Sequence, residues 1–104
     1  MPDTLLTDTP DPRAQRIARL RYRAWRRGMR EADLIAGPFA DQRLDGLDDA
    51  GLDAFERLMD VPDNDLYAWM IGQADPAPEH QGPVMDALQG FARSLAQQTP
   101  GRGA

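Results

Sequence analysis

Residues 11–39 read DPRAQRIARLRYRAWRRGMREADLIAGPF, and the punctuation of this stretch decides the fold. Asp11-Pro12 supplies an N-cap acceptor followed by a proline at the first helical position, where its missing N–H is no loss and its fixed φ already suits a helix. Ile17, Leu20 and Ala24 then recur at helical spacing and mark one apolar stripe, with Trp25 at its edge, in a segment otherwise filled with arginine. This amphipathic helix is expected to end at Gly28, where the missing Cβ permits a sharp change of direction. A second helix is expected from about Met29, carrying Leu34, Ile35 and Phe39 and placing Glu31 and Asp33 favourably in the field of its first turn. Gly37-Pro38 is expected to bend or break it.

The same signals repeat downstream. After Asp45-Gly46, Leu47-Asp48 reads as a hydrophobe and an N-cap, and Leu52, Phe55, Leu58 and Met59 form the next apolar face, closed by Pro62. Asp63 is expected to cap a short fourth helix with Leu66, Trp69 and Met70 inward and Gly72 as its stop. Residues 73–82 read as a connector, and Pro83 opens a fifth helix with Val84, Ala87, Leu88, Phe91 and Leu95 on one side. No run of β-branched residues alternates with polar ones. The fold class that follows is all-α, a compact bundle of about five short helices: a disordered N-terminal segment over 1–10, one helical domain over 11–96 and a disordered tail over 97–104.

The full chain of 104 residues suits one domain, since splitting it would leave neither part much of a core. Cysteine is absent, which removes disulfides, thiolate chemistry and cysteine-based metal clusters. A hydrolase triad would have to use the lone Ser94 and the lone His80, and His80 sits in a proline-rich connector with no metal-ligand spacing around it. Lysine is absent too, and with it any phosphate loop of the Walker type. The chain thus reads as a protein that acts by binding, not as an enzyme, with no catalytic, cofactor-binding or metal-binding residue of its own. No apolar run approaches the roughly 20 residues of a membrane span. Met1–Pro12 carries acids and no arginine, unlike a transit peptide, so a cytoplasmic bacterial setting is expected.

Net charge is −5, but its distribution is lopsided. Eight arginines lie between positions 13 and 30 without an acid among them, whereas Glu31–Asp86 holds fourteen acids against Arg43 and Arg57. Three readings of the cationic helix follow. Its arginines can solvate an outer face and pair with the acidic remainder; they can neutralise phosphates, which the acidic remainder opposes; or they can dock a protein through bidentate, stacking guanidinium groups.

At Arg26-Arg27-Gly28-Met29-Arg30-Glu31 the chain shows an R-G-x-x-E motif in the fuller form R-R-G-M-x-E. It is followed in order by Asp33-Leu34, Pro38-Phe39, Phe55, Leu58-Met59 and Asp63-x-Asp65-Leu66 leading to Trp69. Over roughly Arg16 to Gly72 this resembles the SdhE, or succinate dehydrogenase assembly factor 2, family. The chain departs from it at Ala32, where many members carry leucine, and over residues 75–104, which match little beyond a final helix.

The resemblance implies a partner, the flavoprotein subunit of succinate dehydrogenase and the related fumarate reductase subunit. It also implies a task, promoting covalent attachment of FAD to that partner, with no cofactor held stably by this chain. Neither nucleic acid nor membrane is implied as a partner, and the free protein is expected to be a monomer. The alternative is a helical adaptor or nucleic-acid-binding domain using the arginine-rich helix. The implied contact residues are Arg27, Gly28, Arg30, Glu31 and Asp33, pictured as an outward-facing plug. Gly28 would let a partner backbone approach, so Gly28→Arg is expected to spare the fold and abolish capture. Arg27 and Arg30 would grip a carboxylate or carbonyl in two-pronged fashion. If the helix ran straight through, Arg27 and Glu31 would instead pair with each other. Leu34, Phe39, Phe55, Leu66 and Trp69 are expected in the core.

Overall fold

The computed structural model describes residues 11–98 and forms five α-helices there: α1 Pro12–Trp25, α2 Arg30–Arg43, α3 Asp49–Met59, α4 Asp63–Met70 and α5 Pro83–Gln98. Short 3-10 turns stand at Leu44–Gly46 and Pro78–His80, and no strand occurs among the described residues. The all-α bundle of five helices is therefore the fold. Of the tail expected over 97–104, residues 97 and 98 belong to α5, which continues to Gln98, while the expected disordered residues 1–10 and the remainder 99–104 lie outside the described residues.

Two of the helix starts follow their caps. The Asp11 carboxylate accepts the Arg13 N–H at 3.0 Å with Pro12 at the first position of α1, and Asp48 accepts the Gly51 N–H at 2.8 Å at the head of α3. α4 ends as expected at Gly72, which adopts φ +81 while its N–H reaches Trp69 O and that of Gln73 reaches Ala68 O, the paired bonds of a Schellman cap. Its start is a correction. Pro62, not Asp63, occupies the N-cap position, because the Asp63 carboxylate is engaged by Arg27.

The Gly37-Pro38 break is a second correction, since α2 runs unbroken through it. Pro38 removes one intrahelical donor, the one that would serve Leu34, and its φ is otherwise compatible with a helix. What secures the segment is packing. The Trp25 indole lies where a Cβ on Gly37 would go, with ring atoms 2.3–2.7 Å from that position, so α1 and α2 close on one another across a bare backbone. The Trp25 Nε1–H donates to Asp41, which also pairs with Arg21.

α2, α3 and α5 contribute the centre of the core: Phe39 stacks on Phe55 at 5.8 Å and meets Phe91 edge-on at 5.6 Å. Phe39, Phe55 and Leu66 are fully buried as expected, and Trp69 is half-buried against the cluster. Leu34 is the exception, half exposed, because at about 100° per residue it points away from the face shared by Ala32, Ile35, Ala36 and Phe39.

The arginines of α1 resolve largely into internal pairs. Arg13 meets Asp49, Arg16 meets Asp53 and Glu56, and Arg23 meets Asp60 just past the end of α3, so α1 and α3 lie side by side in parallel. Exposed pairs of this kind contribute only about 0–1 kcal/mol each, so the ladder's main effect is to fix register. Hydrogen bonding to Asp53 and then to Glu56 raises the pKa of Arg16 above its ordinary value.

Candidate functional site

The corner between α1 and α2, residues 26–29, is where local sequence and long-range packing meet. α1 stops at Trp25, three residues before the expected Gly28, and Gly28 itself adopts φ +97, a conformation that costs a residue with a Cβ about 1–2 kcal/mol. The expectation that Gly28→Arg spares the fold is thereby corrected: open space is available, the nearest atom to an added Cβ being Asp63 Oδ2 at 3.5 Å, but the backbone angle is not neutral.

Arg27 turns inward. Its side chain is 5 % exposed; Nη1 donates to Met59 O at 2.8 Å, Nη2 donates to Val61 O, and Nε lies 2.8 Å from Asp63 Oδ1. The guanidinium thus staples the α1–α2 corner to the α3–α4 corner, where the last carbonyls of α3 lack intrahelical donors. The outward Arg27 pictured from the sequence is corrected on this point, as is the Arg27–Glu31 pair, which the interrupted helix does not form. Asp33 also faces the corner, accepting the Arg27 backbone N–H at 2.7 Å.

Three of the five expected contact residues are exposed together: Gly28, Arg30 and Glu31, with no ion pair to Arg30 or Glu31 among the described residues. Beside them lies a shallow groove between α2, α4 and α5, lined by Glu31, Leu34, Ile35, Tyr67, Ile71 and Leu95. Leu34 at 50 % and Ile71 at 38 % exposure give it an apolar rim that sequence reasoning missed. The signal was present in the helical period, since Leu34 falls off the face shared by Ala32, Ile35, Ala36 and Phe39. Tyr22, 62 % exposed on α1, was missed for a similar reason: it falls outside the Ile17, Leu20, Ala24 stripe.

Ser94 is exposed on α5, and the His80 ring lies 5.7 Å from that of Trp69. Among the described residues no three His, Cys, Asp or Glu side chains gather as metal ligands, and no helix is long and apolar enough to cross a membrane.

Fold and site together define a class: a small helical bundle presenting a charged, backbone-exposed corner held from beneath by a buried arginine, with an apolar shelf alongside. The chain belongs to the Sdh5 family, described as flavinator of succinate dehydrogenase, whose model matches residues 18–92. It is 40 % identical over 70 residues to the mitochondrial succinate dehydrogenase assembly factor 2 of Meyerozyma guilliermondii, covering 67 % of this chain and 52 % of that protein. The Danio rerio protein of the same name is 37 % identical over 79 residues, covering 73 % and 49 %. The FAD assembly factor SdhE of Yersinia pseudotuberculosis is 42 % identical over 53 residues, covering 51 % and 60 %. The chain thus spans about half the length of these curated relatives.

The match confirms the family read from the R-G-x-x-E motif and extends it past Gly72 into α5. The bacterial cytoplasmic setting is corrected: the fungal and fish relatives are named mitochondrial, and acids in the first dozen residues speak only for those residues.

Proposed function

We propose that this chain binds the flavoprotein subunit of succinate dehydrogenase before the complex is complete and promotes covalent attachment of FAD to it, with the fumarate reductase subunit as a second client. The observation that carries the reading is the corner itself. In a chain of this family, the motif residues Gly28, Arg30 and Glu31 stand exposed on a backbone that Arg27 and Asp33 fix from within.

The reacting groups, a histidine and the flavin 8α-methyl carbon, belong to the client. A helper therefore acts by holding geometry, and such positioning can supply a large part of a rate enhancement without donating a catalytic group. Arg30 offers a planar bidentate donor for a client carboxylate or carbonyl, Glu31 an acceptor for a client cation or backbone N–H, and Gly28 a place where a client backbone approaches without a side chain between. Leu34 and Ile71 supply apolar area next to these polar contacts, the composition of a protein interface.

The test combines purified chain, apo-flavoprotein subunit and FAD, and follows complex formation and covalent flavin fluorescence in denaturing gels. Covalent flavin should accumulate faster with the chain present. Glu31→Ala and Arg30→Ala should weaken capture while leaving unfolding midpoints unchanged. A chain that neither binds the subunit nor alters its covalent flavin would rule the proposal out.

A further inference from the structure

Of the eight arginines between positions 13 and 30, Arg13, Arg16, Arg21, Arg23 and Arg27 meet acids of the same chain. Arg19, Arg26 and Arg30 have no acidic partner among the described residues. Arg30 belongs to the corner already described. Arg19 and Arg26 flank Tyr22 at spacings of three and four residues: Arg19 and Tyr22 lie on the face of α1 opposite Ile17, Leu20 and Ala24, and Arg26 is the residue that closes the helix. Tyr22 is largely exposed, and the Arg26 guanidinium carbon sits 4.6 Å from its ring centroid. Next to this stack is a recess lined by Tyr22, Arg23, Arg26, Arg27, Met59 and Asp63.

We propose that the Arg19–Tyr22–Arg26 stripe is a docking surface that takes an acidic segment, two or more neighbouring aspartates or glutamates, of the flavoprotein client. The inference rests on the function proposed above and extends the contact surface from the corner, with which it shares Arg26, back along α1 through Tyr22 to Arg19. Three observations favour this occupant. Stacking on the phenol ring restricts the Arg26 guanidinium while leaving its edge donors free, so a carboxylate can be gripped in bidentate fashion with less loss of side-chain freedom. Asp63, which lines the recess, is already held by Arg27, and Asp60 by Arg23, so neither pairs with Arg19 or Arg26. Finally, a chain of net charge −5 repels an extended polyanion such as duplex DNA, whereas a short acidic segment meets only the local positive stripe, screening cutting off the rest beyond about 8 Å.

The experiment measures affinity for the apo-flavoprotein subunit at about 50 mM and about 500 mM salt, comparing the wild-type chain with Arg19→Glu/Arg26→Glu and with Tyr22→Ala. The double reversal is expected to weaken binding about tenfold at low salt and only about twofold at high salt, since exposed charge pairs are screened. Tyr22→Ala should cost about fivefold at low salt through loss of the stack. Far-UV circular dichroism and urea midpoints should stay at wild-type values, because none of the three residues is buried. Variant affinities within twofold of wild type at both salts would overturn the stripe and leave the proposed function standing. Absence of any wild-type complex would instead remove the proposed function. A labelled hexaglutamate peptide tests the stripe without the client. Binding by the wild type that the double reversal abolishes supports it; no binding, or equal binding by both, overturns it. Tighter binding of a short DNA duplex than of the peptide, lost on the same reversal, would overturn it in favour of nucleic acid.

Discussion

Arg27→Ala removes the guanidinium that joins two corners of the bundle, and the loss can be worked out from its contacts. The side chain donates to the carbonyls of Met59 and Val61 and pairs with Asp63. Bonds from a charged donor contribute about 1.5–3 kcal/mol net, and the lower value is apt because one guanidinium serves three acceptors. Asp63 is 28 % exposed, so its pair is taken near the upper end of the exposed range, about 0.5–1 kcal/mol. The total is about 3.5–4 kcal/mol, which in a domain of this size lowers Tm by at least about 14 °C. Arg27→Lys keeps the charge but not the fork, and a single ammonium cannot reach all three acceptors, so about half of that loss is expected. Urea unfolding followed by far-UV circular dichroism measures both. If Arg27→Ala unfolds within about 1 kcal/mol of wild type at an unchanged slope, the staple contributes nothing of consequence and the reasoning fails.

Gly37→Ala sets two effects against each other: alanine gains about 1 kcal/mol of helix propensity, but its Cβ would fall among the Trp25 ring atoms and force the indole out. Displacement should win, giving a net loss of about 1–2 kcal/mol and a red-shifted tryptophan emission; a stabilised variant with unshifted emission would show that the seam is loose. Asp48→Ala deletes the α3 cap and should cost about 1 kcal/mol in urea unfolding, with no effect at all arguing against the cap. Leu34→Ser should change stability by less than about 0.5 kcal/mol, whereas Leu66→Ala should cost about 2–5 kcal/mol, and similar losses at both sites would contradict the assignment of Leu34 to the surface.

What could be read from the sequence was what depends on neighbours along the chain. The caps at Asp11 and Asp48 and the stop at Gly72 satisfy groups within a few residues of themselves, so residue type and spacing suffice. The R-G-x-x-E motif likewise named the family without a fold. Pro38 misled because a local rule predicts a break, and the indole that secures the helix arrives from another element. Arg27 misled more deeply. Its acceptors are carbonyls 32 and 34 positions away, and a backbone carbonyl leaves no mark in a sequence. An arginine of the motif was therefore pictured as an outward-facing contact.

That misplacement changes how the motif can act. A contact surface built from loop residues loses affinity in proportion to the freedom its side chains and backbone give up on binding. Here the loop's freedom is spent during folding: Asp33 takes the Arg27 N–H, Arg27 takes the carbonyls of the next corner, and Gly28 accepts the angle that results. Arg27 and Glu31, four residues apart in one motif, should then fail in different ways. Loss of Glu31 removes a contact, so capture of the flavoprotein should stay weak at every temperature at which the chain is folded. Loss of Arg27 releases the corner, so capture should recover as cooling or a stabilising background restores the packing. Binding isotherms for Arg27→Lys and Glu31→Ala at a low and a moderate temperature separate the two, and parallel curves would mean that Arg27 touches the client after all.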